Sequence, residues 1–198
     1  ATATSERLKL LYTGAWDGGA RSPERLLAVL AQLDLPWQLT SVGPSNDVLK
    51  NLAARYPLPP DAIQYLDAVP KSALPPLIAE ADALLLVQGE PAPGQPNTHI
   101  AAKTFDYLAT AKPILALVAA GDNRDFLADY DGVYMADASD DDSIRATVTR
   151  LQADWPDQLD ATNRQDFLAR FSSAALGATT AALLRDAVAR GTDAQARD

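Results

Sequence analysis

Six short apolar runs punctuate the first three quarters of this 198-residue chain, and their spacing limits the fold more than any other feature. They cover residues 8–13, 37–42, 62–66, 83–87, 113–118 and 133–136. The fourth (ALLLV) and the fifth (PILALV) are apolar without alternation, so neither has a face suited to water. A strand buried on both faces belongs in a parallel sheet between two helical layers.

Helix-length amphipathic segments fill the gaps. Ser22-Pro23-Glu24 opens the first, with Ser as N-cap, Pro at the first helical position and Glu in the first turn. Leu26, Leu27, Leu30, Ala31 and Leu33 then recur at helical spacing. The second helix opens at Ser45 or Asn46. The third covers 71–81, with Pro75 and Pro76 tolerable only in or before its first turn. The fourth covers about 99–111, the fifth 122–129, and Ser139 with Asp140, Asp141 and Asp142 opens the sixth. Beyond Ala153 no strand signal remains. Residues 158–190 read as one or two helices broken near Ser172 and Ser173, and 191–198 as a frayed polar end.

Strands alternating with helices predict an α/β fold, a doubly wound and mostly parallel six-stranded sheet. Six strands suit the order 3-2-1-4-5-6 of a Rossmann-like domain. The expectation is one such domain over 1–198, with 155–190 as a C-terminal helical extension.

Composition removes several chemistries. There is no Cys, so disulfides, thiolate nucleophiles and Cys-ligated metals are excluded. His99 is the only His, so no His pair or His-rich metal site can form. Lys and Arg number 17 against 26 Asp and Glu, and a net charge of −9 disfavours nucleic acid as a partner. The longest apolar stretch, 113–120, is far short of the roughly 20 residues a spanning helix needs. A soluble cytoplasmic protein is expected, with membrane contact at most peripheral.

In open α/β sheets ligands bind outside the carboxyl ends of the strands. The loop after the first strand runs Gly14-Ala-Trp-Asp-Gly-Gly-Ala-Arg21 and leads into a helix. Its amides and Arg21 suit a phosphate. It matches neither G-x-G-x-x-G nor the P-loop pattern, so a plain glycine turn with a surface Arg is the competing reading. The loop after the fourth strand, 88–98, is longer than the 2–6 residues usual in α/β units. Lys103 and Asp106 follow it, three residues apart on one helix face. They read either as a surface ion pair or as a cation and a carboxylate for a phosphorylated, hydroxyl-rich ligand. Trp16 is expected to line the cleft. Trp37, Trp155, Tyr65 and Tyr107 are expected to pack, His99 to be an exposed residue at a helix start, and Asp140 to Asp142 to serve the helix dipole rather than a metal.

The run Lys103-Thr-Phe-Asp-Tyr-Leu-Ala-Thr-Ala-Lys112-Pro113-Ile-Leu resembles the donor-site signature Lys-x-Phe-Glu-Tyr-Leu-Ala-x-Gly-Lys-Pro-Val-Leu of family-4, GT-B-fold glycosyltransferases. Tyr12-Thr-Gly14 with Arg21-Ser-Pro resembles the start of that family's C-terminal half. Val42-Gly43, Tyr65-Leu-Asp67 and Glu80-Ala-Asp82 followed by a Leu-rich strand extend the likeness, which covers about residues 8–151.

The resemblance implies the donor-binding domain of a retaining, metal-independent hexosyl transferase using a nucleoside-diphosphate sugar. It implies no cofactor beyond that donor substrate. It places the diphosphate near Gly14, Arg21 and Lys103, and the base near Val69. Asp106 stands where the family's ribose-binding Glu stands. Two positions depart from the pattern. Thr98 stands where the family has the first Glu of E-x7-E, and Ala15 where many members have Arg. No catalytic residue is assigned. The acceptor, sugar-containing or lipid-linked, would come through an N-terminal half that this chain does not supply, so transfer by the chain alone is not expected. Two alternatives stay open: half of a nucleotide-sugar epimerase, and a non-catalytic binding module of glycosyltransferase descent.

Overall fold

The computed structural model describes residues 7–92, 95, 97–155 and 162–195. Six strands form one all-parallel sheet: β1 (Leu8–Thr13), β2 (Trp37–Val42), β3 (Ile63–Leu66), β4 (Ala83–Gln88), β5 (Ile114–Val118) and β6 (Val133–Ala136). Their order is β3-β2-β1-β4-β5-β6, the order expected from the sequence. The chain turns back at the β1–β4 junction, which opens a crevice there. The sheet registers Leu8 with Trp37 and Leu84 with Ile114.

β4 and β5 are buried along their whole length, as their unbroken apolar runs require. Each fully buried Leu contributes about 1.5–3 kcal/mol relative to exposure. β3, at the sheet edge, is only partly covered. Its start at Ile63, rather than at Ala62, follows from where pairing with β2 begins. β5 likewise starts one residue after Pro113, which has no amide hydrogen to give the ladder.

Six helices connect and follow the strands: α1 (Glu24–Leu30), α2 (Asn46–Ala53), α3 (Leu74–Glu80), α4 (Ala102–Leu108), α5 (Asp122–Ala128) and α6 (Asp141–Asp154). α1 presents Leu26, Leu27, Val29 and Leu30 to the core and packs against α6, which also covers β5 and β6. Pro23, not Ser22, is the cap residue of α1, although the Ser22 hydroxyl still accepts from the Glu24 amide at 3.3 Å. At α6 the N-cap is Asp140, the first of the three acids expected to serve that helix start. Its carboxylate accepts from the Asp142 and Ser143 amides at 2.9 and 3.3 Å. A 3-10 turn at Lys71–Ala73 precedes α3, so Pro75 and Pro76 fall where no amide hydrogen is required. Lys112 closes the other end of α3, its ammonium donating to the Ala79 carbonyl at 2.9 Å and to that of Ala81. α4 begins at Ala102, three residues later than predicted, which leaves His99 in the preceding connection.

The chain divides into two compact units, residues 1–161 and 162–198. The second contains α7 (Thr162–Phe171) and α8 (Ser173–Gln195), broken at Ser172 as the sequence suggested. α8 continues through Gln195, so the expected fraying from residue 191 does not occur there. Residues 156–161, part of the predicted extension, and 196–198 lie outside the described residues. Among the described residues no single helix is long and apolar enough to cross a membrane.

Candidate functional site

The carboxyl edge of the sheet is built by the segments that leave β1, β2, β3 and β4. The first two touch. Gly14 takes φ of 134°, and its amide donates to the Val42 carbonyl at 2.8 Å. A Cβ on Gly43 would lie 2.0 Å from the Gly14 carbonyl oxygen. The β1 and β2 exits therefore meet backbone to backbone, and only glycine fits at Gly43. That contact sets the floor of the site.

Above Gly14 lies Lys103. A Cβ added to Gly14 would sit 2.9 Å from the Lys103 Nζ. This Nζ is buried and has no hydrogen-bond partner. It rests on the face of Tyr12, 3.8 Å from the ring centroid. Tyr12 in turn stacks on Trp16 with ring centroids 3.5 Å apart. Burial, with the nearby Arg21 charge as the second cause, lowers the Lys103 ammonium to about 8. Burial also pushes the Tyr12 phenol above its usual range.

Arg21 borders the same place from the loop between β1 and α1. Its guanidinium bonds Asp17 at 2.8 Å, and Asp17 also accepts the amides of Gly19 and Arg21. Burial works against the Asp17 charge, but these bonds hold its carboxyl below the usual carboxylate range. Arg21 is about half exposed, available to a ligand at the rim.

Asp106 and Val69 occupy the neighbouring stretch. Lys103 and Asp106 share α4 but do not pair with each other. The Asp106 carboxylate faces Lys71, 3.3 Å away across from the β3 exit, and this exposed pair is easily opened. Val69, two residues before Lys71, is exposed. Of the predicted residues, Gly14, Arg21 and Lys103 come together, whereas Asp106 meets Lys71 and forms with it a second group on α4 and the β3 exit. Lys71 belongs to the second group and was missed, because nothing local ties residue 71 to residue 106.

Trp16 does not line a cleft. It is buried, and its indole N–H donates to Ser41 Oγ at 2.8 Å. Ser41 passes the bond to Asn46, whose amide donates to the carbonyls of Gly43 and Leu66. Trp16 therefore braces the β2 and β3 exits from below. Trp37 and Tyr107 are buried, and Trp155 and Tyr65 pack partly covered against the core, in line with expectation. The Tyr107 hydroxyl bonds the amide and hydroxyl of Thr13 at 3.1 and 3.0 Å, fixing α4 to the end of β1.

The connection from β4 to α4 is pinned from within. The Gln88 side chain donates to the His99 carbonyl at 2.8 Å and accepts from Asn123 at 2.6 Å. Asn123 accepts from the Thr104 hydroxyl at 2.8 Å. His99 and Thr98 are exposed. Pro93, Gly94 and Pro96 of the predicted loop lie outside the described residues. On the other side of the β1 exit, a cavity of about 590 Å³ opens between Gly19, Arg25, Leu26, Gly89, Glu90 and Ser139. Gly89 joins its two walls through an N–H bond to the Ala20 carbonyl. None of the predicted site residues lines it. Arg25 lies in the first turn of α1 and Glu90 in the connection after β4, and neither carries a local signal that links it to the other.

Comparison with known proteins locates this architecture. No protein-family model matches the chain, and no curated protein matches it by sequence. Solved structures do. Anabaena Alr3699/HepE in complex with UDP and glucose superposes with a TM-score of 0.68 at 16% identity, over 91% of this chain and 49% of that one. WaaG, a glycosyltransferase involved in lipopolysaccharide biosynthesis, gives 0.61 at 15% identity over 85% and 44%. The lipopolysaccharide outer core galactosyltransferase WaaB gives 0.60 at 16% over 86% and 47%. The fold is that of one GT-B half, and the chain spans about half the length of the structures it matches.

Proposed function

We propose that this chain is the donor-binding half of a glycosyltransferase and holds a nucleoside-diphosphate sugar at the carboxyl edge of β1 and β4. The observation that carries the reading is the buried Lys103 ammonium, without a hydrogen-bond partner, aimed at the Gly14 turn. Burying an unpaired charge costs stability, and an anion in the turn would supply the missing partner. Arg21 adds a second cation at the rim. One helical turn along, Asp106 can accept vicinal hydroxyls once Lys71 swings away, and the exposed Val69, two residues before Lys71, offers an apolar edge to a base. A diphosphate, a ribose and a base fit that sequence of groups. The complexes of HepE with UDP and UDP-glucose support the same ligand class.

In the transfer, the bond between the sugar's anomeric carbon and the diphosphate oxygen breaks, that carbon bonds the acceptor hydroxyl oxygen, the hydroxyl proton passes to the leaving phosphate, and negative charge grows on that phosphate as the bond breaks. Lys103 and Arg21 stabilise that charge, with no reorganisation required of a preformed site. We extend the proposal to retaining, metal-independent transfer with a sugar-containing or lipid-linked acceptor, on the resemblance described above. The acceptor site and the remaining catalytic groups would belong to a second half. A second reading, a binding module without transfer, is favoured by the neutral Thr98.

Calorimetric titration of the chain with UDP-, GDP- and ADP-sugars tests the donor site. Binding of at least one, weakened about tenfold in Lys103→Met and less in Asp106→Ala, is expected from loss of a charge-assisted contact. Absence of binding to all three, or binding unchanged in both variants, overturns the reading.

A further inference from the structure

The Lys103 ammonium is buried without a hydrogen bond, yet it is not without company. Its Nζ stands 3.8 Å from the centroid of the Tyr12 ring, the approach at which a ring's negative face attracts a cation. The ring cannot move aside. Its hydroxyl donates to the Ala15 carbonyl at 2.9 Å, its other partner Trp16 is tied to Ser41, and Tyr12 is fully buried. A rigid aromatic face is thus fixed beneath the buried amine.

We propose that Tyr12 is the positioning residue of this site: its ring face takes the place of the hydrogen-bond partner Lys103 lacks, keeping the side chain charged, poorly hydrated and aimed at the Gly14 turn. This rests on the anion-binding reading of the site given above. A lysine in the open would spend its ammonium on water, and an anion would have to displace that water. A lysine buried against aliphatic carbon would lose its proton instead. The aromatic face avoids both. The other charged or titratable groups of the cluster are the Asp17–Arg21 pair in the loop, Tyr107 on α4 and, beyond it, Asp106. Arg21 disfavours the Lys103 charge, and Asp17 is occupied by Arg21. The ring is therefore the one favourable neighbour among the described residues.

The test grades the ring without changing its shape. Position 12 of the full chain is replaced by Phe, 4-fluoro-Phe and 3,4,5-trifluoro-Phe, since fluorine withdraws the negative charge from the ring face. Two quantities are read in each. One is the titration midpoint of the Lys103 side chain by NMR, assigned with Lys103→Met, which needs no ligand. The other is the affinity for UDP at pH 8. Phe, which keeps the ring face but lacks the hydroxyl bonded to Ala15, is the reference of the series. Across the fluorine series the midpoint should fall stepwise, and UDP binding should weaken by about threefold to tenfold. A midpoint that stays flat across the series overturns the role of Tyr12, whether or not UDP binds. A graded midpoint in a protein that binds no UDP leaves Tyr12 as the counterpart of Lys103 and overturns the donor-site reading instead. Loss of folding in every variant would show that Tyr12 acts as core alone and overturn the proposal.

Discussion

Lys103 and Thr104 are neighbours on α4, and both send a polar atom into the protein. They meet opposite conditions. The Thr104 hydroxyl enters a closed chain through Asn123 and Gln88 to the His99 carbonyl. The Lys103 ammonium finds only the face of a ring. Buried polar groups are nearly always satisfied. The chain on Thr104 follows that rule and fixes where the β4 exit rejoins α4. Lys103 departs from it one residue earlier, on the side facing Gly14. The difference separates satisfied scaffold from the proposed anion site.

The comparison can be broken at its base first. Gly43→Ala forces a Cβ against the Gly14 carbonyl and should lose about 3 kcal/mol of stability in urea denaturation. A loss below 1 kcal/mol would mean the two strand exits are free to part. On the satisfied side, Asn123→Leu strands the Thr104 hydroxyl and the Gln88 carbonyl together and should cost about 2 kcal/mol. On the unsatisfied side, Lys103→Met should leave stability unchanged or raise it by about 1 kcal/mol, because an unpaired buried charge is removed. If Lys103→Met proves as damaging as Asn123→Leu, the contrast between the two residues fails.

The smallest effect is in pH. Lys103 titrates near 8 in the folded chain against 10.5 for an ordinary lysine. Between those values the unfolded chain holds the additional proton, so this group's contribution to stability rises with pH. Affinity for an anion runs the other way, falling as the ammonium is lost above pH 8. Denaturation midpoints at pH 7.5 and 9.5 should show an upward shift in the wild type relative to Lys103→Met. Equal shifts in the two proteins would place the Lys103 titration elsewhere.

Much of the fold could be read in the sequence because its signals are local. Unbroken apolar runs marked β4 and β5 as central, and glycine, proline and acid residues marked the turns and caps. The boundary errors are local too. Ser22 stands one residue outside the cap that the backbone chose, and α4 starts late because Gln88 and Asn123 hold the preceding segment extended. The site was less legible. Spacing put Lys103 and Asp106 on one helix face, but side-chain direction sends one toward Gly14 and the other to Lys71, far off in the chain. Trp16 looked like a cleft residue because its loop is glycine-rich. Its burial depends on Ser41, which no local pattern connects to it. The Thr104–Asn123–Gln88 chain left no trace either, since each residue alone reads as an ordinary polar position.

Lys112 carries a different kind of consequence. It lies in the same signature as Lys103, yet its ammonium serves the carbonyl end of α3. The two lysines of one motif would therefore erode at different rates in a lineage that abandoned its ligand. Lys103 would be free to drift, while Lys112 would persist as long as the domain folds. Under the donor role proposed above, the residue at 103 would be the one that separates binding members from those that have lost the ligand.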